Sequence, residues 1–264
     1  MARHLEILPA SKITWATRLG GSFQAWLERT AREHGADLFG VADLTPVIDF
    51  ICTQGGERLR EFPRAISIGI RLTDAVVNEL RRHDDPEAIL PYETEYFSVN
   101  SRLDNVSALL TKTIRQEGYL ADAIPASQTI DSDTLSGLIS HKLVANLAGL
   151  GWIGKSCLLI TRDYGPRVRL ATVLTDAPLT TGSRMNMDCD GCDACVRICP
   201  VMAFAGAPFN PLEPREVRFK ANLCNSYMAR RVGPLGEEGL CGLCVYACPF
   251  GRLGNHNVSR PMTL

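Results

Sequence analysis

Little in this chain is extreme, and each thing it lacks removes a class of function. No run approaches the roughly 18 to 20 consecutive apolar residues that cross a bilayer. The first 30 residues show no basic start followed by an apolar run and a small-residue cleavage site. A cytoplasmic protein with no membrane partner is expected. Charge of one sign is also missing: 28 basic and 29 acidic side chains give a formal net charge of −1, so no broad basic footprint is offered to a nucleic-acid backbone. Low-complexity segments are absent. What remains, 45% hydrophobic and 22% charged over 264 residues, suits a globular chain with one sizeable core and a small appendage.

Cysteine is the one excess. Eight of the ten cysteines fall between Cys189 and Cys248, and in a long chain without an export signal that clustering favours metal over disulfides. The run Cys189-Asp-Gly-Cys192-Asp-Ala-Cys195-Val-Arg-Ile-Cys199-Pro200 has the C-x2-C-x2-C-x3-C-P spacing of bacterial two-cluster ferredoxins. In that spacing the fourth cysteine ligates the other cluster, so a second half-motif is required. It is present as Cys241-Gly-Leu-Cys244-Val-Tyr-Ala-Cys248-Pro249, one ligand short, and Cys224 is the only unassigned cysteine nearby. Two [4Fe-4S] clusters then take Cys189, Cys192, Cys195 and Cys248, and Cys199, Cys224, Cys241 and Cys244. Tetrahedral zinc also uses C-x2-C pairs, but it has no need of a triplet or of two crossed C-P endings. Cys52 and Cys157 sit among apolar neighbours and read as buried small hydrophobes.

Upstream, strands alternate with helices. Helical spacing covers 20–35, Phe97 to Glu117 and Leu135 to Leu147, with a further helix over Thr73 to His83. Strands are expected over Asp37 to Leu44, Ala65 to Leu72, Leu120 to Pro125, Cys157 to Thr161 and Val168 to Thr175. The pattern predicts an α+β fold: a layered α/β domain over 1–180 and an appended ferredoxin-like double [4Fe-4S] domain over 181–264, with the seam at Pro178 to Met187.

Gly149-Leu-Gly151-Trp152-Ile-Gly154-Lys155-Ser156 satisfies both G-x-G-x-x-G and G-x-x-x-x-G-K-[ST]. A phosphate loop must follow a strand and open a helix. Here a helix runs in and a β-branched run leaves, which argues against a nucleotide. Two readings stay open: a tight helix-to-strand corner, or a loop whose Gly149, Gly151, Trp152, Gly154 and Lys155 approach a large flat cofactor.

Three segments, Gly35-Ala-Asp-Leu-Phe-Gly-Val-Ala42, Ala148 to Lys155 and the cysteine block with Cys224-Asn-Ser-Tyr227, resemble the epoxyqueuosine reductases and their shorter relatives, a group similar in turn to the reductive dehalogenases. The resemblance implies a nitroreductase-like N-terminal domain that holds cobalamin, a ferredoxin-like domain that feeds it electrons from a small-molecule or protein donor, and reductive removal of an epoxide oxygen from a modified tRNA base. This chain departs from the pattern. At the family's D-x-x-P-x-x-E segment, Leu135 takes the place of the proton-donating aspartate and His141 that of the glutamate, while Tyr96-Phe-Ser-Val-Asn100 replaces the Y-x-x-G-x-D-Y-H segment. The helical repeats that follow the cysteines in the longer enzymes are missing, and with near-neutral charge this makes tRNA an unlikely partner.

The polar candidates each carry two readings. His141 is either a hydrogen-bonded core histidine or an acid–base group. Asp131 and Asp133 read as N-cap and first-turn residues of the following helix, with Asp133 a candidate acid. Tyr96 and Tyr164 are either packed or proton donors, and Arg167 and Arg169 are either solvated or carboxylate-binding. Two functions compete: a reductase whose clusters feed a corrinoid or substrate in the N-terminal domain, and a non-catalytic electron carrier that reduces a partner's metal centre.

Overall fold

The computed structural model describes residues 22–251 apart from 211, 212, 232, 237 and 238. Its layers follow from the alternation of large and small side chains along one strand. In β2 (Arg64–Arg71), Ile66, Ile68 and Ile70 point to one face and Ala65 to the other. This strand pairs antiparallel with β1 (Leu38–Asp43) and β6 (Val168–Thr175), and β3 (Ala121–Ile124) adds to the far edge of β6, giving the order β1-β2-β6-β3. The bulky face packs under α1 (Phe23–Glu33) and α4 (Pro86–Gln116), which contribute Leu27, Leu103, Leu110 and Ile114, all fully buried. The small-residue face admits α2 (Ile48–Gly55) and α5 (His141–Leu147).

The expected strands of this sheet are present, each within one residue of its expected ends. The helices differ more, although α3 (Asp74–Glu79) lies inside the helix expected over Thr73 to His83. Residues 20 and 21 of the first expected helix lie outside the described residues. The long helix begins at Pro86, well before Phe97: the Asp85 carboxylate accepts from Glu87 N at 2.9 Å and Pro86 fits the first turn, where no amide donor is needed. Helix α2 was not anticipated. The helix expected from Leu135 starts only at His141, capped by Ser140. Asp131 and Asp133 therefore do not cap it. The Asp131 carboxylate instead accepts from Asp133 N and Thr134 N, folding the preceding segment into a turn that an amide-binding side chain stabilises against helix. These bonds hold the Asp131 carboxyl below its usual range.

After α5 come two short paired strands, β4 (Trp152–Ile153) and β5 (Leu159–Ile160), which replace the longer strand expected over Cys157 to Thr161. The linker that follows β6 crosses back over β1, where Gly182 N donates to Val41 O at 2.8 Å, and then enters the cysteine-rich region. Short helices carry that region: α6 (Ala194–Arg197), α7 (Ala221–Ala229) and α8 (Leu243–Ala247). Among the described residues no helix is long and apolar enough to cross a membrane.

Candidate metal centre: two thiol quartets and a glycine corner

The turn in which Cys192 N donates to Cys189 O, followed by α6 with Cys195, gathers three thiols on one loop. Cys248, at the end of α8, is brought to them: it lies within electrostatic reach of Cys189, Cys195 and Cys192. Burial and the neighbouring thiols push Cys195 up to about 11 and Cys248 up to about 12. A second set forms from Cys199, Cys224 on α7, and Cys241 and Cys244 at the start of α8. Cys224 feels Cys241 and Cys199, while Cys244 feels Cys241, Cys224 and Cys199, and Cys195 across the gap. Burial pushes Cys224 up to about 11 and raises Cys241 and Cys244 as well.

Buried thiols at raised pKa are costly to ionise unless a cation compensates the charge. Among the described residues no three Cys, His, Asp or Glu side chains converge to single-ion distance. A cubane asks for something else, four thiolates each on a different iron and so standing apart. The two quartets fit that group in number and in chemistry. The Ala203 amide donates to Cys199 Sγ at 3.3 Å, a bond of the kind that tunes cluster potential.

The glycine motif is a helix-to-strand corner. Chain leaves α5 at Leu147 and enters β4 at Trp152, with Gly149 at φ +78°, a conformation that favours glycine. The space over Gly149 is taken by the Ser183 carbonyl, and that over Gly151 by the Ile160 backbone. Gly154 faces the first quartet: a methyl group there would lie 3.1 Å from Cys189 Sγ. Lys155 Nζ donates to Asp190 O at 2.7 Å and Cys192 O at 3.0 Å, pinning the loop of the first quartet. Trp152 is 1% exposed and meets Phe250, just past Cys248-Pro249, edge to face at 5.0 Å.

Beside this corner opens a cavity of about 460 Å³. Asn146, Trp152 and Ile153 line it on one side, and the segment leading into Cys189 on the other. Two polar atoms of these lining residues, Trp152 Nε1 and Asn146 Oδ1, are buried without a partner among the described residues; the Asn146 amide nitrogen is used on Gly151 O at 2.8 Å. Asn146 escaped the sequence reading. Its signal was a lone amide in the apolar stripe Leu143-Val144-Ala145-Asn146-Leu147.

The other candidates are occupied by structural work. The His141 ring bonds Thr172 Oγ1 at 2.8 Å and Pro125 O at 2.9 Å. A prolyl carbonyl only accepts, so Nε2 carries the proton and Nδ1 accepts from the threonine. Burial drives its pKa from 6.5 to about 4. His141 is thus a half-buried, neutral histidine at pH 7 with both ring nitrogens engaged. Tyr96 lies under the Arg169 guanidinium at 4.0 Å, and Arg169 Nε donates to Asn100 Oδ1. Asp133 is exposed and, among the described residues, shares no hydrogen bond with His141 or Tyr96. Arg167 is fully buried and paired with Asp74 Oδ1 at 2.9 Å, and Arg71 covers the Tyr164 ring. Leu135, at φ +54°, is held through its carbonyl by Arg215.

Comparison with known proteins agrees with this architecture. The 4Fe-4S dicluster domain family matches residues 188–252. The epoxyqueuosine reductase of Listeria monocytogenes serovar 1/2a is 28% identical over 159 residues, 57% of this chain and 39% of that protein. A crystal structure of epoxyqueuosine reductase with an epoxyqueuosine-modified tRNA stem loop is similar with a TM-score of 0.55 at 17% identity, over 88% of this chain and 66% of that one. A reductive dehalogenase, whose structure suggests a mechanism for B12-dependent dehalogenation, gives a TM-score of 0.62 at 17% identity over 86% of this chain and 31% of that one. The match to the Listeria relative spans less than half of that protein's length. The chain is an iron-sulfur protein similar to epoxyqueuosine reductases and reductive dehalogenases, with their α+β fold and a 4Fe-4S dicluster domain after the sheet.

Proposed function

We propose that the chain is an iron-sulfur reductase in which two [4Fe-4S] clusters, held by the two thiol quartets, pass electrons singly to an acceptor in the cavity beside the Trp152 corner. The cavity carries this reading. It adjoins the loop that enters Cys189, so an acceptor there would sit next to the first quartet, and a bare carrier needs no such chamber. The electrostatic contact between Cys244 and Cys195 supports a relay from one quartet to the other.

A corrinoid is the acceptor the relatives suggest, and the lining residues fit part of it. Trp152 Nε1, a donor, and Asn146 Oδ1, an acceptor, are buried without partners among the described residues, and a shift of the lining that uncovers them would let a carboxamide side chain of a corrin pair with both. A whole corrinoid is larger than the cavity and would extend past its mouth. When bound, it would supply a cobalt centre able to deliver electrons to a substrate bond. The chain's own contribution is to bind and orient: Asn146 and Trp152 fix the edge, Phe209 walls one side beneath the Arg184 and Arg218 guanidinium groups, and Lys155 holds the neighbouring cluster loop in place. Balanced charge lends no support to a polyanionic substrate.

The test is anaerobic reconstitution with iron, sulfide and hydroxocobalamin, followed by desalting. About eight irons per chain and a retained corrinoid spectrum are expected, with retention falling at least tenfold in Asn146→Leu. Full iron loading without corrinoid retention would remove the corrinoid from the reading, and fewer than about eight irons would remove the second cluster.

A further inference from the structure

The two quartets differ in what stands between them and solvent, and this difference assigns a direction. The first is covered by the Trp152, Ile160 and Phe250 cluster and by Gly154, and the loop around it is acidic, with Asp188, Asp190 and Asp193 interleaved with its cysteines. Around the second quartet the balance reverses. Residues 194–248 hold six basic side chains against four acidic ones in a chain of net charge −1.

Apolar side chains lie on the same side. Ala205 N donates to Arg218 O and Lys220 N to Ala203 O, a short ladder that sets Met202 beside the start of α7. Met202 is 77% exposed, Leu223 44% and Val217 53%. Met202 follows Cys199 by three residues and Leu223 directly precedes Cys224, in a quartet whose four thiols are all partly exposed, whereas Cys195 and Cys248 of the first are buried. Lys220 and Arg230 are exposed at the rim; Arg231 is paired with Asp84, and Arg215 with Glu216.

We infer that the Met202, Val217 and Leu223 surface over the second quartet docks an acidic one-electron carrier protein, and that electrons enter the chain there. An apolar centre within a charged rim is the anatomy of a transient protein contact. The basic rim steers an acidic partner in, and the aspartates around the first quartet turn it away. One electron leaves the reduced carrier and enters the second cluster; no bond forms and no proton is required. The inference rests on the two-cluster reading above.

The experiment uses the reconstituted holoprotein under argon. Dithionite reduction followed by electron paramagnetic resonance first establishes that both clusters accept electrons, and failure at this step sinks the two-cluster reading itself. Stopped-flow reduction by a reduced flavodoxin, as the acidic probe, then tests the surface. The rate should fall at least tenfold between low and high salt, and at least tenfold again in Lys220→Glu/Arg230→Glu and in the exposed single variant Met202→Glu. Iron content and dithionite reduction should stay at wild-type levels in each. Rates indifferent to salt and to both variants, with clusters intact, overturn the docking surface.

Discussion

The two thiol quartets share a ligand type and a crossed topology, yet they are anchored to the sheet domain by different means. The first hangs on the glycine corner and the hairpin after it: Lys155 grips its loop, Gly154 lets Cys189 approach, and Gly165 lies against the Phe250 carbonyl just past Cys248. Backbone contacts dominate there, and small residues make them possible. The second leans on α4 and the segment before it through side chains. Gly242 rests on the Tyr92 ring, Glu93 accepts from Leu240 N at 3.2 Å, and Arg231 reaches Asp84 at 2.7 Å. One anchor tolerates no added atoms; the other depends on polar groups that can be exchanged.

The largest test of that difference removes a ligand from each side. Cys248→Ala and Cys224→Ala should each lower iron from about eight to about four per chain, and the surviving resonance signals should differ. Cys189→Ala should leave the same survivor as Cys248→Ala, although Cys244 is much nearer to Cys248 in sequence. If Cys248→Ala and Cys244→Ala leave the same survivor, the crossed grouping is wrong.

A methyl group added to the first anchor should come next. In Gly165→Ala the new Cβ meets the Phe250 carbonyl and the Gly251 nitrogen, backbone atoms that cannot rotate away, at a residue already at φ +53°. A loss of about 3 to 5 kcal/mol is expected. Denaturation followed by cluster absorbance should show the first cluster released before the second.

His141 belongs to neither anchor and separates fold from site. Its pKa lies at about 4 when folded against 6.5 ordinarily, so between those values the unfolded chain binds the proton more readily. Its contribution is full above pH 6.5 and is lost as pH falls towards 4. Partial exposure trims a ceiling of about 3 kcal/mol to about 2. His141→Gln should flatten the stability profile between about pH 4 and 6.5 relative to wild type while both cluster signals persist. Loss of reduction at pH 7 with stability intact would instead restore it as a proton donor.

Much of this was legible in the sequence, and what was not shares a cause. Cysteine spacing is local and carries its meaning in the order of residues, so the 4Fe-4S dicluster domain and the reversed order around Gly149 could be read directly. The sheet could be read as well, because Ile66, Ile68 and Ile70 alternate with small residues. The helix start at His141 was hidden by a competing polar bond, since apolar spacing continues back through Leu135 while the Asp131 carboxylate ties up the amides that a helix would need. His141, Tyr96 and Arg167 were ambiguous because their partners, Pro125, Arg169 and Asp74, are distant in sequence. Asn146 and Trp152 line the same cavity only because the corner folds back on α5.

The smallest expected effect lies at the second anchor. Glu93 is 1% exposed on α4, with one carboxyl oxygen on Leu240 N, next to Cys241, and the other without a partner among the described residues. Glutamine keeps the size and one acceptor for that amide, so Glu93→Gln should cost only about 1 kcal/mol, whereas Glu93→Leu, which leaves Leu240 N unpaired, should cost about 1 to 3 kcal/mol. Both should loosen the strap that carries Cys241 and so release the second cluster earlier on warming, with the first unchanged. This is the reverse of the order expected for Gly165→Ala. Early release of the first cluster in Glu93→Leu would mean that the two anchors are mechanically one, because α8 joins Cys244 to Cys248 and could carry strain from one quartet to the other.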